Sequence, residues 1–284
     1  MTPTTLAILL GLTSAVSLAA VNAVVKAGRD ILMARVVLSV TAALLTLPAI
    51  FFVPLPTAPI WIALAFSLMA HGAYQFGLIN ALSRGDLSLV FPVMRGGAPI
   101  LVAIAAFIFL NESLRPIEWT GLIIATLGVF GFVLKPGKSI TGIDAPKPAL
   151  LFAGFTAFAI ALYSVLDARG VRMVESPFTY IVWLFVLDGV QMGIAGSVLR
   201  GEALWRDARS IWRYGVIAAL GSMLSFGVLL YAMSLTEVAR VSALRESAVV
   251  FGALFGWLFL KEGFGARRLA FAAITASGLA MMNL

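Results

Sequence analysis

The sequence predicts an all-α integral membrane protein, with ten transmembrane helices arranged as two inverted five-helix repeats around a central cavity. Hydrophobic residues make up 61% of the 284 residues and charged residues only 12%, whereas soluble domains carry about 25% charged residues. The apolar runs are about 18 to 24 residues long, which is long enough for a helix to cross a hydrocarbon core of about 30 Å. Barrel strands are about 10 residues long and alternate in polarity, so these runs predict helices.

The first five spans are separated by short loops that contain basic residues, glycine or proline, as is typical of turns between membrane helices. The first apolar run is too long for a signal-peptide core and has no basic residue before it, so we expect it to be retained as a helix. The five predicted spans are Thr4–Val25, Ile31–Phe52, Ile60–Leu82, Leu87–Leu110 and Ile117–Leu134.

A polar segment with glycine and proline at turn spacing, Lys135–Pro148, is the predicted boundary between two halves. We expect residues 1–138 to form the first five-helix repeat and residues 139–284 the second. Each later run is also long enough to cross a bilayer with slight tilt. These five spans are Ala149–Leu166, Pro177–Leu199, Ile211–Ser234, Val238–Leu260 and Ala266–Leu284.

The two halves share residues at an offset of 150 positions. Arg95 in the fourth span corresponds to Arg245 in the ninth, and arginine is rare within membrane spans. Because each half has an odd number of spans, the halves must cross the membrane in opposite directions, as in many secondary transporters with a site between their repeats. The other matches are Phe76-Gly77 with Phe226-Gly227, Leu110-Asn111-Glu112 with Leu260-Lys261-Glu262, and Gly128 with Gly278.

The basic residues indicate membrane orientation rather than nucleic-acid binding, although the net charge is +7. Thirteen of the twenty lie in odd-numbered loops, four lie in even-numbered loops, and three lie within spans. The positive-inside rule therefore places the odd loops in the cytoplasm and both termini outside. No nucleic acid is expected as a partner.

The composition also excludes several kinds of chemistry. The chain has no cysteine, and His71 is its single histidine, so disulfides, thiol catalysis and multi-histidine metal sites are excluded. The sequence contains no HExxH, GxSxG or Cys–His motif. We expect no cofactor, no metal and no catalytic residue, and an intramembrane enzyme or scaffold is the alternative from another class.

Polar side chains in the third span share one helical face. Ser67, His71, Tyr74 and Gln75 occupy positions i, i+4, i+7 and i+8. One interpretation is hydrogen bonding between helices, which is common for such residues in membranes. The other is a cavity wall that contacts a solute, in which His71 can also carry a proton because its unperturbed pKa is about 6.5.

Charged residues inside the spans are the strongest candidates for a binding site. Arg95 has no acid nearby in its own span. It either meets Glu246 or Asp188, or it offers an anion site that suits a substrate carboxylate. Arg245 and its neighbour Glu246 point about 100° apart on a helix and need not pair. Asp188 is either a packing acid or a partner for a substrate amine or proton.

A neutral amino acid needs a cation, an anion or amide, and an apolar wall. Arg95 is the candidate cation, and Asp188 or Gln75 is the candidate anion or amide. Tyr74 and Trp183 are candidates for the wall. The aromatic residues that we expect either to line a cavity or to anchor at the membrane interface are Tyr163, Trp183 and Tyr231.

The whole chain resembles the drug/metabolite transporter superfamily of EamA type. The resemblance rests on ten spans in two halves, on an arginine within the fourth and ninth spans, and on a Leu-x-Glu motif at the end of both spans. The pattern is also similar to the YddG group of bacterial amino-acid exporters. The resemblance implies a central cavity, alternating access and efflux across the inner membrane. It implies His71, Tyr74, Gln75 and Arg95 as cavity residues, and cytoplasmic termini, which is opposite to the charge count.

The expected function is therefore a secondary transporter that exports neutral or aromatic amino acids across the bacterial inner membrane. Its partners are a small-molecule substrate and the lipid bilayer. The alternative within the same fold is a carrier of organic phosphates, nucleotide sugars or drugs, in which both intramembrane arginines bind the anion. Proton coupling and oligomeric state stay open, with a monomer as one candidate. The predicted substrate-binding residues are His71, Tyr74, Gln75, Arg95, Trp183, Asp188, Arg245 and Glu246.

Overall fold

The structure is a computed structural model that describes residues 2–26, 30–85, 87–133, 147–251, 254 and 266–283. Within these ranges the chain is helical and contains no strand, which confirms the predicted all-α class. The helices are α1 (Pro3–Lys26), α2 (Ile31–Thr46), α3 (Ala58–Arg84), α4 (Leu87–Leu110), α5 (Pro116–Val133), α6 (Lys147–Arg172), α7 (Pro177–Arg200), α8 (Glu202–Ser222), α9 (Val228–Met233), α10 (Val238–Glu246) and α11 (Ala266–Met281).

Seven helices among the described residues are long and apolar enough to cross a membrane. The fifth and tenth predicted spans appear as shorter apolar helices, Pro116–Gly131 and Leu269–Met281. The last third of the ninth predicted span and nearly all of the predicted boundary segment lie outside the described residues. The arrangement of ten helices in two inverted repeats therefore stays a prediction.

Two helices extend by more than one turn beyond their predicted bounds. Helix α8 begins at Glu202, whereas the sequence predicts a loop up to Ile211. The residues before Ile211 include several arginines, so the mean hydropathy of this segment is low. Its few apolar side chains recur at helical spacing, and the segment therefore forms a helix with one buried face. Helix α6 continues to Arg172 rather than ending at Leu166.

The described chain divides into two compact units, and each takes segments from both sequence halves. Unit 1 consists of Met1–Met69 and Leu166–Thr236, and unit 2 consists of Ala70–Val165 and Glu237–Leu284. The divisions fall within α3 and α6, so each of these helices contributes to both units. The units are described separately below.

Unit 1 is built on α2, which packs against α7 and α8. Val36, Met192 and Leu204 form one buried apolar cluster between these helices. Arg172, the last residue of α6, donates two hydrogen bonds to carbonyl oxygens at the end of α9. Its Nε donates to the carbonyl oxygen of Met233 at 2.8 Å, and its Nη2 donates to that of Thr236 at 2.7 Å. Such bonds satisfy carbonyl groups that a helix end leaves without an intrahelical donor.

Unit 2 packs α5 against α11, and α4 against α5 and α10. Helix α4 ends at Asn111, whose φ of 55° is in the left-handed region that often terminates helices. The next residue, Glu112, accepts the backbone N–H of Val238 through Oε2 at 2.8 Å. The Leu-Asn-Glu motif thus ends α4 and caps the first turn of α10, which fixes α10 beside α4.

Candidate functional site

An aromatic stack in unit 2 contains two of the predicted site residues. The imidazole of His71 on α3 stacks on the ring of Tyr163 on α6, with centroids 4.4 Å apart and planes 18° apart. Tyr74, one turn further along α3, meets the same tyrosine edge-on at 5.5 Å. Aromatic rings in such stacked and edge-on arrangements attract one another beyond their apolar burial. Tyr163 therefore holds both predicted side chains of α3 in place.

The second feature of unit 2 is a buried ion pair between α4 and α10. Nη2 of Arg95 lies 3.1 Å from Oε1 of Glu246, and the side chains are only 12% and 7% exposed. Of the partners expected for Arg95, the structure selects Glu246. The other oxygen of this carboxylate, Oε2, is buried and accepts no hydrogen bond from the described residues.

The ion pair and the aromatic stack belong to one cluster. The guanidinium groups of Arg95 and Arg245 both lie within electrostatic range of the Tyr74 and Tyr163 hydroxyl groups. Arg245 also lies within electrostatic range of the Arg95–Glu246 pair. We call the set of His71, Tyr74, Arg95, Tyr163, Arg245 and Glu246 the polar cluster of unit 2.

A small cavity adjoins this cluster. Its volume of about 10 Å³ is close to the space that one water molecule requires. Its lining residues include Arg95, Gly96, Pro99, Thr126 and Glu246, and the surface that they present to the cavity is apolar. The cavity therefore lies next to the residues of the ion pair, while their charged atoms stay buried.

The polar face predicted on α3 divides between the two units. In unit 2, Gln75 is buried, with only 5% of its surface exposed. In unit 1, Ser67 donates its hydroxyl to Oδ1 of Asp167, which also accepts the Tyr180 hydroxyl at 3.1 Å. For Ser67 the hydrogen-bonding interpretation is therefore the one that applies. The sequence did not indicate Asp167, because the predicted sixth span ended one residue before it.

The remaining two predicted residues lie on α7 in unit 1. Trp183 packs edge-on against Trp61 at 5.0 Å, and its indole N–H is buried without an acceptor among the described residues. Asp188 is half-buried. Nearby on α7, Gln191 donates from Nε2 to the carbonyl oxygen of Leu68 at 3.1 Å, while its own Oε1 has no donor in the described part of the chain. Unit 1 thus has two buried polar atoms without a hydrogen-bond partner among the described residues.

Comparison with known proteins relates the second half of the chain to a family of transporters. Residues 147–284 match the model of the EamA-like transporter family. The chain carries an EamA domain. This confirms the resemblance to EamA-type proteins of the drug/metabolite transporter superfamily. The members of this family are transporters rather than enzymes, and seven helices in the described part of this chain are long and apolar enough to cross a membrane.

Three curated relatives illustrate the range of the family. A WAT1-related chloroplastic protein of Arabidopsis thaliana is 28% identical over 78% of this chain and 55% of its own length. A probable amino-acid metabolite efflux pump of Salmonella typhimurium is 23% identical over 83% of this chain and 81% of its own length. The threonine/homoserine exporter RhtA of Escherichia coli is 24% identical over 65% and 63%. The chain thus spans less than two thirds of the Arabidopsis protein and of RhtA.

A solved crystal structure has the same fold as this chain. The TM-score is 0.73, the two chains are each covered to 98%, and the sequence identity is 19%. At this identity the likeness concerns the fold alone, because proteins that share a fold need not share a substrate.

Proposed function

We propose that this protein exports neutral or aromatic amino acids across the bacterial inner membrane by alternating access. The observation that carries the proposal is the buried Arg95–Glu246 pair beside the aromatic stack of His71, Tyr74 and Tyr163. The similarity to the probable amino-acid metabolite efflux pump of Salmonella and to the threonine/homoserine exporter RhtA supports amino acids as the substrate class. These bacterial relatives also support the inner membrane as the location.

The charges of the ion pair match those of a zwitterion. On binding, the substrate carboxylate takes the guanidinium of Arg95, and the substrate ammonium takes the carboxylate of Glu246. Arginine suits this exchange because its planar fork binds carboxylates through two parallel hydrogen bonds. Since each protein charge exchanges one partner for another, no buried charge is left uncompensated at the cost of several kcal/mol.

The small cavity marks a place where the site can open to admit the ammonium group. Oε2 of Glu246 is the acceptor without a protein donor in the described residues, and Glu246 lines the cavity together with Arg95. A volume of about 10 Å³ is too small for an amino acid. Helix movement must therefore enlarge the site for the substrate, as alternating access requires.

The aromatic rings supply the apolar wall. Tyr163 and His71 present stacked faces and Tyr74 presents an edge, and such surfaces favour contacts with other aromatic rings. A doubly charged organic phosphate is less suited to this cluster, because the Glu246 carboxylate next to Arg95 repels it. We also propose Gln75, Arg245, Trp183 and Asp188 as further substrate-binding residues. The proposed architecture has two five-helix repeats, residues 1–138 and residues 139–284.

Counterflow in proteoliposomes tests the proposal. Proteoliposomes that contain the purified protein are loaded with unlabelled amino acids. Uptake of labelled phenylalanine, leucine or threonine is then measured in the presence of unlabelled competitors. We expect protein-dependent uptake that neutral and aromatic amino acids compete and that Arg95→Ala abolishes. The matched control is Arg169→Ala, which removes an exposed arginine at the end of α6 and should transport normally.

Two results would contradict the proposal. Normal amino-acid uptake by folded Arg95→Ala would remove the carboxylate site. If a folded preparation takes up no amino acid but does take up an organic phosphate, the protein is a carrier of organic phosphates instead. A parallel series with and without a pH gradient separates proton coupling from facilitated diffusion.

A further inference from the structure

The first half of helix α8 carries a basic face. Arg206, Arg209 and Arg213 occupy positions i, i+3 and i+7, so their side chains leave the helix within about 60° of one another. All three are exposed, and neither Arg206 nor Arg209 has an ion pair or hydrogen bond with the described residues. The guanidinium of Arg213 lies 5.6 Å from the centre of the Trp212 ring.

Two tryptophans border this basic face. Trp205 and Trp212 are seven residues apart, so they also share one side of the helix, and they are 41% and 55% exposed. The opposite side of α8 is buried in unit 1 through Leu204 and Gly215. The segment therefore has a buried face, an aromatic border and a basic face, which is the pattern of helices that lie in a membrane interface.

Three contacts fix the rotation of the helix about its axis. Leu204 belongs to a buried cluster of unit 1. Gly215 approaches Val37 so closely that a Cβ on the glycine would lie 2.3 Å from the valine Cγ1. The indole N–H of Trp205 donates to Oγ of Ser197 at 3.0 Å. The arginines and tryptophans are thus held in one outward orientation.

The position along the chain places this segment at the edge of the bilayer. Helix α7 is apolar up to Arg200, where Gly201 turns the chain with a φ of 59°. The candidate span that follows runs from Glu202 to Met233, and its arginines lie only in the first part. The basic face therefore lies where an apolar span begins, at the level of the lipid headgroups.

We propose that the segment Glu202–Tyr214 is a binding surface for anionic phospholipid headgroups. The three arginines bind lipid phosphates, which suit guanidinium groups, and the two tryptophans lie between headgroups and acyl chains. The acids of the segment, Glu202 and Asp207, form no ion pair with its arginines in the described structure. This proposal is independent of the transported substrate, because none of these residues belongs to the polar cluster of unit 2.

Lipid quenching of tryptophan fluorescence tests this surface. The full chain in neutral detergent is titrated with brominated phosphatidylglycerol or brominated phosphatidylcholine. Bromine quenches nearby indoles, and Trp205→Phe/Trp212→Phe identifies the local signal among the six tryptophans. We expect phosphatidylglycerol to bind more tightly and each arginine removed to weaken its binding about five-fold.

The variants separate headgroup binding from unspecific charge effects. Replacement of all three arginines by glutamine should abolish the preference for phosphatidylglycerol, whereas lysine at the same positions should retain it. Arg169→Gln, on α6, is the matched control and should bind like the original chain. If the triple variant does not fold, Arg209→Gln alone gives the same test.

Three outcomes would overturn the proposal. One is equal binding of the two lipids, and another is unchanged phosphatidylglycerol binding after the arginines are removed. The third is displacement of the lipid by inorganic phosphate, which would indicate a site for the free anion instead of a membrane surface.

Discussion

Gly128 on α5 and Thr275 on α11 approach so closely that a Cβ on the glycine would lie 2.3 Å from the threonine Oγ1. The same contact occurs again with both residues shifted by 150 positions. A Cβ on Gly278 would lie 2.4 Å from the backbone nitrogen of Ala125. Because one offset relates both partners of both contacts, this helix pair supports our proposal that the chain contains two related repeats.

Substitution of Gly278 by alanine should destabilise the protein. The new Cβ would meet backbone atoms of Ala125 and Gly121 at 2.4 and 2.5 Å, and backbone atoms cannot move aside as a flexible side chain can. We expect a loss of about 1–3 kcal/mol in the free energy of unfolding. Gly154→Ala is the matched control, because no atom lies within 4 Å of its Cβ. Unfolding in mixed micelles measures both, and equal stability of the two variants would contradict the close approach.

Removal of one partner of the Arg95–Glu246 pair should cost more than removal of both. Glu246→Ala leaves a buried guanidinium without its partner, which costs about 3–5 kcal/mol. The double variant Arg95→Met/Glu246→Leu removes both charges of the pair, so we expect it to unfold less easily than either Arg95→Met or Glu246→Leu alone. A double-mutant cycle of unfolding free energies gives the coupling. Strictly additive costs would show that the pair has no energetic coupling.

Tyr163→Ala should lower the transport of aromatic amino acids more than that of small ones. The substitution removes the ring on which His71 stacks and against which Tyr74 packs. Tyr163→Phe keeps the ring and should retain most of the activity, so the comparison separates the apolar wall from the hydroxyl group. Initial rates of counterflow with phenylalanine and alanine provide the measurement. The exposed Tyr214 is replaced by alanine as the control, and a uniform loss for all substrates would point to misfolding instead.

The Asp30–Arg200 pair should make stability depend on pH in the acidic range. Burial raises the pKa of the Asp30 carboxyl, but the hydrogen bond and charge of Arg200 and the N–H of Met33 outweigh it, so the pKa lies below its ordinary value of 3.8. A lowered pKa means stabilisation above the unfolded pKa that is lost as the pH falls through the folded one. Asp30→Asn keeps an acceptor for Met33 but removes the charge.

We expect Asp30→Asn to lower the unfolding free energy by about 0.5 kcal/mol at neutral pH, because the pair is partly exposed. The difference should disappear as the pH falls below about 4. Parallel unfolding curves of both proteins over this range provide the measurement. A difference that stayed constant down to the most acidic pH would show that the charge of Asp30 is not responsible.

Local sequence patterns were sufficient for most helices but not for their ends. The apolar runs predicted α4 from Leu87 to Leu110, and the structure has the same bounds. They placed the start of α8 at Ile211 instead of Glu202, because three arginines lower the hydropathy of a segment that nevertheless has an apolar face. Only the tertiary structure shows that the apolar face of α8 is buried and that its arginines therefore form an exposed basic surface.

The sequence by itself determined that this chain is an all-α membrane protein and that Arg95 lies within a span, because length, hydropathy and the rarity of intramembrane charge are local properties. It also marked His71, Tyr74 and Glu246 as candidates. Only the tertiary structure decided that Arg95 pairs with Glu246 and that Tyr163 stacks on His71. These partners are far apart in the chain, and the packing of α3 on α6 and of α4 on α10 brings them together, which no local pattern records.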